Sequence, residues 1–388
     1  MSVRNIDKLD VSGKKVILRV DWNVPTKGDV ITDDSRIVAS LPTIRSLLVK
    51  GAQRIVIVSH FGRPKGKTEK DSWRRFLTII QTYFEEPLFF LEDGLSVRTL
   101  DLLDKTDHRL YLLENIRFHD VETNYLSYPK DNMEREIMQQ LGDLFVNDAF
   151  GCMHRDHLSI CGVYKNERAI GYLVEKELDA LQMLLENPEG KKILAIIGGG
   201  KMDDKLPLIE KLSKKMDTIY LCGGNINSIL KSSSAEESVK KDMSSFIERI
   251  TSNRAKIHYM TDGLCAETLT SMPEYATSRT LPANKNFLDA GINSLFDLDE
   301  LIQESDIIFW NGTLGVVESN LYHHGSTALV ERLIKASIGG KKVIVGGGDT
   351  GGFVNHFPHN FYYITTGGGA TLEYLSNGSL VGVDFMKE

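Results

Sequence analysis

Short runs of β-branched and aliphatic residues, each too brief for a helix, recur along almost the whole chain with helical patterns between them. That alternation confines it to one architecture. Val16 to Asp21 (VILRVD), Arg54 to Ser59, Leu88 to Leu91, Leu110 to Asn115 and Leu144 to Asp148 read as strands. Between the first two, Asp34 or Ser35 can cap a helix that runs to Lys50 and stops at Gly51, and further helices are expected from about Asp71 and about Lys130. A longer helical pattern follows over Tyr172 to Asn187, with Val174, Leu178, Leu181, Leu184 and Leu185 on one face and Pro188 with Gly190 ending it. The alternation then resumes with Ile193 to Ile197, Thr218 to Cys222, Lys256 to Met260, Ile307 to Trp310, Lys342 to Val345 and Tyr362 to Thr365. Such βαβ grammar builds open parallel sheets with helices on both faces. The expected fold is therefore α/β: two doubly wound parallel-sheet, Rossmann-like lobes, residues 1–170 and 189–368, joined by a connecting helix and hinge over 171–188.

Composition narrows the function. The 388 residues are 41% hydrophobic and 26% charged, an ordinary soluble balance, and a net charge of -7 argues against a general nucleic-acid or membrane surface. Four cysteines, Cys152, Cys161, Cys222 and Cys265, are too few and too unevenly spaced for a disulfide framework, and the N-terminus MSVRNIDKLD has no apolar core. These features point to a cytoplasmic protein with no nucleic-acid or membrane partner. Cys152, His154 and His157 do not have the spacing of a tetrahedral zinc site.

Ligands of open α/β sheets bind beyond the carboxyl ends of the strands. In the first half those ends run into Asp21 and Asn23, His60 and Arg63, Arg117 and His119, and His154, Arg155 and His157. A single arginine there would be an ordinary surface ion pair. Cations at four equivalent positions, each guanidinium a planar fork for phosphate or carboxylate, suggest a small polyanionic substrate.

The second half ends its strands in glycine: Gly198 to Gly200, Gly223 and Gly224, Gly312, Gly346 to Gly348, and Gly367 to Gly369. Glycine admits close approach of the backbone, and N–H groups at helix starts stabilise phosphate, so this half reads as a nucleotide cradle. No Walker-A lysine is present, because the glycines before Lys201 lack that spacing. Gly346, Gly348 and Gly351 satisfy G-x-G-x-x-G, but Asp349 would then lie beside a pyrophosphate and no acidic residue follows at the ribose distance. An aspartate among phosphates is better explained by an intervening Mg²⁺.

Ten ordered blocks spanning essentially the whole chain resemble the phosphoglycerate kinase family: RVDWNVP, ITDDSRIVASLPTI, HFGRP, LLENIRFH, FVNDAFGCMHRDH, GYLVEKEL, IIGGGKMDDK, FWNGTLGVVE, GGGDT and TTGGGATLEYL. The resemblance implies reversible phosphoryl transfer between 1,3-bisphosphoglycerate and ADP, giving 3-phosphoglycerate and ATP, by a monomer whose lobes close by hinge bending. It implies that Asp21, Asn23, Arg36, His60, Arg63, Arg117, His154 and Arg155 bind 3-phosphoglycerate in the first lobe. Gly199, Gly200, Lys201, Lys205, Gly224, Asn311, Glu318, Gly346, Gly347, Gly348, Asp349 and Thr350 would bind the nucleotide, with Asp349 on Mg²⁺. Arg36 and Lys201, with Gly347 and Gly369, would form the catalytic set, and residues 369–388 would return to the first lobe.

The sequence departs from the family pattern mainly in its second half. Gly200 stands where alanine is usual, Asn225-Ile226-Asn227 replaces a Met-Ala-Asn-Thr run, FLDAGIN lacks a Gly-Pro pair, Thr313 replaces a proline, and Gly351-Gly352-Phe353 replaces small residues. These changes leave open a second reading, a ligand-binding or scaffold protein without turnover. A third, a nicotinamide-dependent dehydrogenase, would need the missing ribose carboxylate.

Overall fold

A computed structural model describes residues 3–187, 190–200, 205–232 and 237–387. They form two compact units, Met1–Leu178 with Ser379–Glu388, and Asp179–Gly378. The strands of the first are β1 (Lys15–Val20), β2 (Thr26–Lys27), β3 (Val30–Ile31), β4 (Arg54–Val58), β5 (Leu88–Leu91), β6 (Leu110–Leu113), β7 (Leu144–Asp148) and β8 (Glu167–Ile170). Six of them make one parallel sheet in the order β5-β6-β4-β1-β7-β8, while β2 and β3 form a small antiparallel hairpin. Every residue of β4, β6 and β7 is buried, the signature of a parallel sheet covered on both faces. That is why these strands appear in the sequence as unbroken apolar runs.

The second unit holds β9 (Ile193–Ile197), β10 (Thr218–Leu221), β11 (Lys256–Tyr259), β12 (Asp262–Ala266), β13 (Glu274–Thr277), β14 (Asn286–Ala290), β15 (Ile307–Asn311), β16 (Lys342–Gly346) and β17 (Tyr363–Ile364). Its main sheet has the order β11-β10-β9-β15-β16-β17, all parallel. The sequence reading did not anticipate a second, antiparallel sheet, β13-β12-β14. Its strands carry Asp, Gly, Glu and Asn among their apolar residues and give no continuous hydrophobic run.

Two other local features differ from expectation. The helix expected from Asp71 is replaced by two 3-10 turns, Glu69–Asp71 and Trp73–Phe76, and a short helix, Leu77–Gln81. The buried Glu114 carboxylate accepts from Ser72 Oγ and the Trp73 N–H, and Trp73 and Phe76 pack around Phe61, so side-chain demands override helical propensity. The helix expected from Lys130 starts at Met133, where Asn132 caps the Arg135 N–H. The long helix Tyr172–Glu186 forms as read, its start held by Asp148 Oδ1, which accepts from the Leu173 and Val174 N–H groups.

The return to the first unit begins at Ser379 rather than at residue 369. Helix Gly368–Asn377 packs on helix Leu206–Ser213 within the second unit and ends at Gly378, whose φ of 78° stops it. Helix Val381–Met386 then lies in the first unit, where the Gly382 N–H donates to Met153 O at 2.8 Å. All four cysteines are free and buried, and among the described residues no helix is long and apolar enough to cross a membrane.

Candidate active site

In the first unit the loops after β1, β4, β6 and β7 converge on a nest of guanidinium groups. Trp22 anchors the first loop, its N–H on Ser59 Oγ and its indole Nε1–H on Ser40 Oγ, which leaves Asp21 and Asn23 on either side. Asp21 Oδ2 accepts from Arg36 at 2.8 Å, and its other oxygen lies 3.9 Å from His60 Nδ1. Asn23 Oδ1 accepts from the Gly62 N–H, and Arg117 donates to Gly62 O, so the second and third loops are tied together. Asn115 fixes the same turn from below: its Oδ1 accepts from the Phe61 N–H at 3.1 Å and its Nδ2 donates to Phe61 O at 2.7 Å.

Arg19, only 1% exposed, sits beneath this group. It donates to Ser159 Oγ at 2.8 Å and to Val20 O, and its Nη2 lies 3.2 Å from His60 Nδ1. Burial first, then the fields of Arg19, Arg117, Arg155 and Arg36, hold the His60 imidazole well below its ordinary value of 6.5, so it is neutral. An anion bound here would meet four fixed positive charges and a neutral imidazole. Burial and Arg117 itself are part of the same picture, since desolvation and then Arg155 lower its pKa. Asp21, His60 and Cys152 lie close enough to share an ion, but the Arg19 guanidinium beside His60 and Cys152 already puts a cation at that point.

Of the residues expected to bind the first substrate, Asp21, Asn23, Arg36, His60 and Arg117 are linked by these contacts, and Arg155 reaches them through its field on His60. His154 joins through Arg155, whose Nε–H donates to its Nε2 at 3.1 Å. Arg63 is exposed beside Gly62 and makes no ion pair among the described residues. His119 and His157, grouped with the cations in the sequence, turn instead to carboxylates: His119 to Glu134, and His157 to the fully buried Glu122, which also accepts twice from Ser159. Arg19 was missed. Its signal was an arginine inside the apolar run VILRVD.

In the second unit the loops after β9, β10, β15 and β16 enclose a cavity of about 840 Å³. Gly199, Gly200, Lys205, Gly224, Asn311, Glu318, Gly347, Gly348, Asp349 and Thr350 all line it. Gly346 does not; a Cβ there would meet the Phe309 ring, so its role is packing. Gly368 lines the cavity in place of Gly369. Lys201 lies outside the described residues.

The cavity floor is backbone packed on backbone. The Gly198 N–H donates to Asn311 O and the Gly199 N–H to Thr313 O, each at 2.9 Å, while the Gly312 N–H donates to Thr350 Oγ1 at 3.0 Å. A Cβ on Gly198 would collide with the carbonyls of Gly312 and Thr313, and one on Gly224 with Gly199 O. Lys205 threads this floor, donating to Gly198 O and Asn311 O, and burial pulls its pKa down to about 8. Beyond the glycines the lining includes residues the sequence did not reveal: Asn227, Ser228 and Lys231 from helix Gly224–Ser232, and Asn286, Phe287 and Leu288 from β14.

Asp349, exposed in the first turn of helix Gly348–Val354, supplies a hard oxygen donor beside glycine N–H groups, the donor type Mg²⁺ takes when phosphates provide most of its ligands.

Comparison with known proteins agrees with the two-lobed α/β architecture. The family model for phosphoglycerate kinase matches residues 6–378. The phosphoglycerate kinase of Yarrowia lipolytica is 34% identical over 416 aligned positions, covering 100% of both chains, and phosphoglycerate kinase 2 of Sus scrofa is 35% identical over 405, covering 98% of this chain and 97% of its own. The solved structure of phosphoglycerate kinase from Coxiella burnetii superposes with a TM-score of 0.84 at 28% identity, covering 99% of each chain. With the same fold, the whole length matched and a third of its residues shared, the chain belongs to the phosphoglycerate kinase family.

Proposed function

We propose that this protein catalyses reversible phosphoryl transfer between 1,3-bisphosphoglycerate and ADP, yielding 3-phosphoglycerate and ATP. The observation that supports it is the contrast between two strand-end sites. One gathers Arg19, Arg36, Arg117 and Arg155 around a neutral His60; the other is a glycine-walled cavity containing Lys205 and Asp349. The first suits a small phosphorylated carboxylate, the second a nucleotide.

The nucleophile in either direction is already ionised, a carboxylate or a nucleotide phosphate, so no general base is required. The protein's task is positioning and compensation of charge on the phosphoryl group in flight. Arg36, paired with Asp21, is held at the edge of the anion site and would steady the acyl carboxylate. Lys205 would lose its backbone partners in exchange for phosphate oxygens. Lys201 would follow the phosphoryl group, as the family resemblance implies. Mg²⁺, held by Asp349 and the nucleotide, would neutralise phosphate charge.

The test is a coupled assay with 3-phosphoglycerate and Mg-ATP, run beside Lys201→Ala and Arg36→Ala and repeated with GTP. Turnover by the parent is expected, with a loss of about 10² to 10³ in kcat for Arg36→Ala, the size of effect seen when one donor to developing charge is removed. A parent that binds both ligands yet transfers nothing refutes the proposal.

A further inference from the structure

β14 is an edge of the antiparallel sheet, so the peptide groups on its outer side must find partners elsewhere. Phe287 finds both in one side chain: Asn227 Nδ2 donates to Phe287 O at 2.9 Å, and Asn227 Oδ1 accepts from the Phe287 N–H at 2.8 Å. The amide thus imitates one residue of a neighbouring strand. The next residue, Leu288, is where the register slips. Phe287 pairs with Cys265 and Asp289 with Leu264, so two steps on β14 span one on β12 and Leu288 bulges out. Bulges re-aim a side chain and a peptide group. Here Leu288 lines the cavity, and its carbonyl accepts from the N–H of Val316, another lining residue, at 3.0 Å.

A chain of bonds therefore runs from Asn227 through Phe287 and the bulge to the loop carrying Val316. The first unit repeats the device, where Asn115 grips both peptide groups of Phe61 between His60 and Gly62 of the anion site.

We propose that Asn227 is a positioning residue for the nucleoside part of the nucleotide. It fixes the bulge at Leu288, and with it the apolar wall of Leu288 and Val316 on which a base would pack. The assignment rests on the nucleotide reading of the cavity. The glycine loops and Asp349, which would hold the phosphates, are bonded separately and do not depend on Asn227.

Calorimetric titration of the full chain, Asn227→Ala and Asn227→Asp with Mg-ADP and with Mg-tripolyphosphate separates the possibilities. Losing a pair of hydrogen bonds that shape the wall is expected to raise the Kd for Mg-ADP about tenfold in Asn227→Ala, while tripolyphosphate, which has no nucleoside, binds within about twofold. Asn227→Asp should weaken Mg-ADP as well, because a carboxylate oxygen then faces the Phe287 carbonyl. It keeps the acceptor for the Phe287 N–H and carries the test if the alanine variant fails to fold. The KM for nucleotide should rise in parallel, with the KM for 3-phosphoglycerate and the saturated kcat unmoved. Unchanged Mg-ADP affinity in both variants overturns the assignment, and so does an equal loss for tripolyphosphate, which would report general loosening of the unit. A parent that binds tripolyphosphate but not Mg-ADP overturns the nucleotide reading, and the assignment with it.

Discussion

Gly198→Ala and Gly200→Ala, two residues apart in one turn, should move stability in opposite directions. A Cβ on Gly198 would stand 2.5 Å from Gly312 O and still closer to Thr313 O, both backbone atoms. An unstrained C···O approach is about 3.3 Å, so the two loops must part by nearly an ångström. They are bonded to each other through the Gly198 and Gly199 N–H groups and cannot part without losing those bonds. The expected loss is about 3 kcal/mol, the upper end for overpacking, or a fall in Tm of roughly 6–12 °C for a unit of this size. At Gly200 a Cβ meets nothing within 4 Å among the described residues, and φ lies outside the left-handed region. Alanine there should stabilise by about 0.4–1 kcal/mol, chiefly by restricting the unfolded chain, raising Tm by roughly 1–4 °C. Differential scanning calorimetry without ligand reads both. A Gly198→Ala protein that melts with the parent, or a Gly200→Ala protein that falls as far as Gly198→Ala, would refute the view that the first glycine serves loop packing and the second faces open space.

Two further outcomes follow from buried charge. Burial holds the Lys205 ammonium near pKa 8, against an ordinary 10.5, so the unfolded chain binds more protons between those values and stability should rise with pH across that window, as urea titrations at pH 7.5 and 9.5 would show. Phosphate binding favours the charged amine, so nucleotide affinity should fall above pH 8 by up to about tenfold per pH unit, and Lys205→Met should flatten the profile. Replacing Arg19 by Met removes a charge that faces the fully buried Glu122, leaving that carboxylate its contacts with His157 and Ser159 and the field of Arg117; the expected loss is about 3 kcal/mol in urea unfolding, with weaker 3-phosphoglycerate binding in calorimetry. A variant as stable as the parent would show that Glu122 does not depend on Arg19.

The parallel sheets were legible because strands such as β4, β7 and β9, covered on both faces, have to be written as unbroken apolar runs. The strand-end rule then pointed to both candidate sites, since whatever follows a buried parallel strand stands at its carboxyl end. What stayed hidden depends on partners distant in sequence. Nothing near His119 or His157 announces Glu134 or Glu122, so both histidines read as ligands when they are props. β12 to β14 pair antiparallel and bury residues in no regular alternation, which leaves short mixed strings with no periodic signature, and Asn227 has meaning only once β14 exists to be gripped.

Glycine was the hardest residue to read, and the structure shows why. Three helices begin on one of the protein's own carboxylates: Tyr172–Glu186 on Asp148, Ile292–Glu304 on Asp262, and His324–Ile338 on Asp289. In each case a glycine, Gly171, Gly291 or Gly325, leaves the space that the carboxylate fills. Burial pushes Asp148 and Asp289 up to about 6, yet their backbone donors pull the other way, which is the balance expected of an anion held at a helix start. The fold therefore uses internally the same arrangement that binds phosphate. Helix Gly368–Asn377 is different: it starts behind Gly367, and among the described residues no carboxylate accepts from the N–H groups of its first turn. Among the described residues a Cβ at Gly368 would meet only the Gly348 nitrogen, at 3.6 Å, and one at Gly348 would meet nothing. Among these helix-start glycines, the two that face open space, Gly348 and Gly368, line the cavity, while the three that face a carboxylate, Gly171, Gly291 and Gly325, do not. At these helix starts the open space left by the missing Cβ, more than the glycine itself, marks where an external anion can go.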